Sequence, residues 1–117
     1  MAPQEPIYTG KVADGEVRFF RSPLNGPDFP WHAIDDLYAV AGLEGEIANT
    51  MRQMTQKHWG QDLRTIPTLN GIVTIAPHFV AQGFLEALGE IGADPAEAIQ
   101  PGYHRAGIAA LQRVTAH

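Results

Sequence analysis

Apolar and polar positions alternate over residues 16–21, where Val17 and Phe19 flank Arg18, and this period of two predicts a β-strand. Residues 29–33 predict a second short strand that runs into a helix. On that helix Ile34, Leu37, Val40 and Ala41 share one face, Asp35 and Asp36 stand in the first turn where the dipole favours carboxylates, and Gly42 supplies the stop. Residues 46–59 predict a second helix with Ile47, Met51, Met54 and His58 on its apolar stripe. Residues 62–69 and 71–76 predict two strands joined at Asn70-Gly71, a dipeptide suited to a type I′ turn with both residues at positive φ. Pro67 has no N–H to give a ladder, so its strand is expected at a sheet edge. Pro77 suits the first turn of a third helix reaching about residue 92, with Phe79, Val80, Phe84, Leu85, Leu88 and Ile91 on a broad apolar face.

The remaining segments are set by their punctuation. Residues 22–30 carry three prolines and read as an irregular connection. Asp94-Pro95-Ala96-Glu97 reads as a short helical turn closed by Pro101-Gly102, and residues 103–116 as a last helix. Residues 1–15 are poorly patterned; Ile7-Tyr8 either starts a strand or belongs to a frayed end. Together these elements predict one α+β domain over residues 1–117: a small antiparallel sheet with a β-hairpin at Asn70-Gly71, packed by three to four helices.

Composition narrows the chemistry. The chain of 117 residues is 44% hydrophobic and 18% charged, which is a globular balance. It has no cysteine, which rules out a disulfide framework, a zinc ribbon and a thiol nucleophile. The N-terminal residues show no basic-then-apolar leader, and no apolar run approaches the roughly 18–20 residues of a membrane span, so a cytoplasmic location without membrane contact is expected. The net charge of -5 argues against a generic nucleic-acid coat.

Catalytic signatures are sparse. The histidines His32, His58, His78, His104 and His117 match no metal-ligand spacing, so no metal and no cofactor is expected. Ser22, the one serine, has no nucleophile-elbow context, and no glycine-rich phosphate loop occurs. Asp35 and Asp36 are sequence neighbours and so do not face each other on a helix, which disfavours a catalytic pair. Trp31, at a strand end, reads as a core residue. The expectation is a protein that is not an enzyme, with an enzyme site assembled across elements as the alternative.

The block Pro30-Trp31-His32-Ala33-Ile34-Asp35-Asp36-Leu37, closing at Gly42-Leu43, resembles the opening of the Bro-N family, the N-terminal domains of phage antirepressors and baculovirus Bro proteins. The order that follows, a second helix with basic residues, a hairpin and an apolar helix, is similar too, and the resemblance covers about residues 16–92. His32 stands where the family carries an aromatic residue, and the hairpin is short. The resemblance implies a regulatory module of phage or mobile-element type that binds DNA or a DNA-binding repressor protein.

Two surfaces are candidates for such a partner. Residues 47–61 contain Arg52 and Lys57 and no acid, and Arg52, Gln53, Gln56 and Lys57, with Arg64 beyond, form a face able to meet phosphates and adenine edges. A plain solvated helix face accounts for the same residues. The alternative is a stoichiometric inhibitor that binds only protein, using Glu86, Glu90, Asp94 and Glu97 against a basic partner. A homodimer formed through Ile108 and Leu111 of the last helix is a further expectation.

Overall fold

A computed structural model describes residues 3–24, 29–43, 45–90 and 95–115. Five strands make one sheet: β1 (Tyr8–Val12), β2 (Gly15–Phe20), β3 (Trp31–Ala33), β4 (Arg64–Thr68) and β5 (Gly71–Ala76). Their order is β1-β2-β3-β5-β4, and every neighbouring pair is antiparallel. Four helices complete the α+β fold: α1 (Ile34–Val40), α2 (Gly45–Trp59), α3 (His78–Glu90) and α4 (Pro95–Thr115). A turn of 3-10 helix (Gly60–Asp62) links α2 to β4. No helix among the described residues is long and apolar enough to cross a membrane.

Strand alternation divides the core in two. Val17, Phe19 and Ala76 face the helices and join Leu37, Tyr38, Val80, Phe84, Ile99 and Tyr103 in the larger cluster. The intervening residues Phe20, Trp31, Ala33, Ile66, Val73 and Ile75 form a second cluster in which no helical side chain takes part. It is nonetheless buried, with Phe20 and Ile75 at 0% exposure. The sheet curls: Gln4, just before β1, pairs in parallel with Thr68 of β4 and donates its N–H to the Pro67 carbonyl at 2.8 Å. The segment that precedes β1 is therefore brought against β4, at the far edge of the sheet. Trp31 is the core residue its position suggests, 2% exposed.

The β3 ladder against β2 stops at Phe19↔His32, because the chain turns from β3 directly into α1. The Arg18 N–H beside this break finds an acceptor in Asp36 Oδ2 at 3.0 Å. The Arg18 side chain closes the same contact, with Nε to Oδ2 at 2.8 Å and Nη2 to Oδ1 at 3.0 Å. Asp36 therefore replaces a missing strand in addition to favouring the start of α1. The hydrogen bonds that the Arg18 guanidinium donates to Asp36 hold it above its ordinary pKa.

Several local expectations need correction. The hairpin at Asn70-Gly71 forms, but its two-residue turn is Leu69-Asn70 and only Gly71 has positive φ, at 118°. Thr68 makes this turn workable: its Oγ1 accepts from the Asn70 N–H and donates to the Gly71 carbonyl. Of the two readings of residues 1–15, the strand is the one found: residues 8–12 form β1. The helix breaker expected at Pro101-Gly102 breaks nothing, since α4 runs through it from residue 95 to residue 115. Packing overrides local propensity there: a Cβ on Gly102 would come within 3.3 Å of the Val12 Cα and the Ala13 nitrogen.

The same closeness recurs one turn later, where a Cβ on Gly10 would lie 2.6 Å from the Ala106 Cβ. Gly10→Val should therefore prise β1 from α4 and cost about 2 kcal/mol, the range of an overpacked core. A denaturant titration checks this, and an unchanged midpoint would show that the two elements can separate freely.

Candidate functional site

The expected apolar stripe of α2 is rotated from the one that packs. Ala48 and Thr55 are buried and Met51 and Trp59 half-buried, whereas Ile47, Met54 and His58 are exposed. Thr55 can face the core because its hydroxyl donates to the Met51 carbonyl and meets the Tyr38 hydroxyl at 2.6 Å. Burial raises the Tyr38 pKa, partly offset by that contact. Small residues at 48 and 55 occupy the buried side of α2, and larger apolar side chains are left outside.

Arg52, Gln53, Gln56 and Lys57 are all exposed on α2. They do not form one uniform patch. Arg52 leans toward α1, pairing with Asp35 at 3.1 Å, bonding Asn49 Oδ1 at 3.2 Å and lying over the Tyr38 ring at 5.8 Å. Its charge is thus partnered. Helical geometry puts Lys57 outward, flanked on one side by Gln53 and on the other by Met54 and His58. Arg64, at the start of β4, bonds the Gln61 and Leu63 carbonyls and lines a separate cleft with Asp62, Trp31 and Phe79. Of the acidic candidates, Glu86 is exposed on α3, Asp94 lies outside the described residues, and the side chains of Glu90 and Glu97 lie outside them too.

A second constellation comes from three distant segments. His32 of β3 is fully buried, and its Nδ1 lies 3.3 Å from the Tyr103 hydroxyl of α4. The two rings meet edge to face, with centroids 5.6 Å apart. His78, at the start of α3, stacks on Tyr103 at 5.7 Å and reaches Phe29 at 6.3 Å. Desolvation holds the His32 pKa down at about 3, and His78 adds to the effect, so the ring is neutral at pH 7. Burial likewise lowers His78, helped by His104, and raises Tyr103. His32 Nε2 is buried with no partner at good hydrogen-bond geometry among the described residues, and the Ala76 backbone acts on the ring only in the opposing, pKa-raising direction.

Sequence spacing does not reveal this cluster, because its members come together only when α3 and α4 pack on the sheet. The available signal is the stripe His104, Gly107, Ile108 and Leu111, at i, i+3, i+4 and i+7 on α4. No group of three or more metal-binding side chains occurs among the described residues. No family model matches the chain, and neither a curated protein nor a solved structure is similar to it.

Proposed function

We propose that this domain is a non-catalytic regulatory binding module, of the antirepressor-like kind that residues 16–92 resemble, and that it engages a DNA-binding protein through the outward side of α2. The observation that carries this reading is the exposure of Met54, 45%, beside Lys57 and His58, with Ile47, 59% exposed, about two turns before Met54, on a helix whose opposite side is anchored in the core. Apolar side chains left in water next to a cation are typical of protein contacts, whereas a DNA surface favours uninterrupted cations. The net charge of -5 adds long-range attraction for a basic partner.

Direct DNA contact by Arg52, Gln53, Gln56 and Lys57 is the second reading, favoured by the exposure of all four. Two measurements separate the readings. A photo-crosslinking residue at position 54 should capture one protein in cells of the source organism, while the same residue at exposed Thr65 should not. Identical adducts from both positions would sink the protein-docking reading. Labelled random duplex should remain unbound at about 50 mM salt; binding that weakens steeply by about 200 mM and vanishes in Arg52→Ala plus Lys57→Ala would install the DNA reading instead.

A further inference from the structure

The ring cluster borders a cleft of about 240 Å³ between the sheet, the start of α3 and the middle of α4. Phe19, Phe29 and Pro30 line it together with Ile108 and Leu111 of α4. His78, Tyr103 and His104 bring ring faces and imidazole nitrogens into this otherwise apolar space. Tyr103 contributes its ring, since its hydroxyl is directed at buried His32.

Three observations distinguish this cleft from a packing gap. The first is Gly107. It stands inside the long helix α4, where glycine is the poorest helix former apart from proline, yet an added Cβ would meet no atom within 4 Å. No neighbour requires the missing side chain, and Gly107 lines the cleft, so its effect is to keep the space open. The second is that Phe29 and Ile108 both line this concavity yet remain 56% and 48% exposed, so that an occupant would cover them. The third is charge: the described lining has no carboxylate, lysine or arginine, and its polar groups are imidazoles.

We propose that this cleft binds a small, neutral, planar aromatic molecule of one or two rings, held between Phe29 and Ile108 and hydrogen-bonded at its edge by His78 or His104. The size follows from the volume, which is below the roughly 300–1,000 Å³ of sites for drug-sized ligands. Planarity follows from the walls, where Phe29, His78 and Tyr103 already form a sequence of tilted and stacked rings that a further ring extends. Neutrality follows from the described lining, which offers a charged ligand no countercharge. This site is independent of the α2 surface.

Indole serves as the probe and cyclohexanol as the non-planar control. Titrated into the intact chain, indole should shift the backbone amide resonances of residues 29–33 and 103–111, with a Kd on the order of 1 mM, as expected for so few atoms. Cyclohexanol should bind at least about tenfold more weakly. Gly107→Leu fills the cleft and should weaken indole at least about tenfold while leaving Tm unchanged or higher, because leucine is the better helix former. Gly107→Ala, the milder variant, should raise Tm by a few degrees and weaken indole less. Met54→Glu should not alter indole binding. Shifts elsewhere in the chain, no shifts at about 10 mM indole, equal binding of cyclohexanol, or undiminished affinity in Gly107→Leu would each overturn the proposal.

Discussion

Acidification from pH 7 to pH 5 should remove about 2 kcal/mol of stability through His32 alone. Its pKa is near 3 in the folded chain against an ordinary 6.5. The unfolded chain therefore takes up a proton below pH 6.5 that the folded chain refuses until about pH 3. The stabilising contribution is complete above pH 6.5 and is lost as pH falls, at about 1.4 kcal/mol per unit once the unfolded histidine is charged. His78 is shifted in the same direction and steepens the fall. Since small domains are stable by only about 5–15 kcal/mol, the protein should approach unfolding near pH 4. His32→Leu removes the titrating ring at a constant cost for stranding the Tyr103 hydroxyl. The gap between wild type and variant, from urea titrations at each pH, should therefore narrow by about 2 kcal/mol between pH 7 and pH 5. Parallel curves would mean that the ring gains water or a partner on protonation.

Asp36→Ala should cost about 3 kcal/mol and lower Tm by about 10 °C, whereas Asp35→Ala, one residue away, should cost no more than about 0.5 kcal/mol. Both carboxylates sit in the first turn of α1 and both meet an arginine. Burial and geometry separate them. The Arg18 and Asp36 side chains are only 26% and 18% exposed, and the carboxylate takes two guanidinium bonds and one backbone N–H. Removing it leaves a half-buried cation and an unpaired amide at the point where β2 has lost its strand partner. Asp35 and Arg52 are 59% and 48% exposed and share a single bond, which water replaces readily. Equal losses in the two variants, measured by thermal denaturation, would show that Arg18 gains nothing from its enclosure.

What the sequence reveals here follows from which interactions are local. The strand over residues 16–21, the hairpin at Asn70-Gly71, the edge position of Pro67 and the helices that open at Ile34 and His78 are set by alternation, turn residues and prolines within a few positions. Those features were legible. The stripe of α2 was not, because hydrophobicity favoured Ile47 and Met54 while packing selected Ala48 and Thr55, the second by a hydroxyl contact with a residue 17 positions away. Pro101 and Gly102 signalled a break that the fit of α4 against Val12 overrides. β1 was obscured because one of its inward positions is Gly10, which has no side chain to contribute to a pattern. The cleft was hidden for a different reason: Phe29, His78 and His104 belong to three segments that only tertiary packing brings together.

The meeting of Gln4 with Thr68 has a consequence for how the protein survives at high concentration. An open sheet offers two rows of unsatisfied amides and carbonyls, each a template on which a second molecule can add a strand and start an aggregate. Here the segment before β1 meets the β4 edge, the Gln4 N–H occupies the Pro67 carbonyl, and Pro67 has no N–H with which to recruit a stranger. Protection against strand addition at this corner of the molecule thus depends on one backbone pairing and one imino acid.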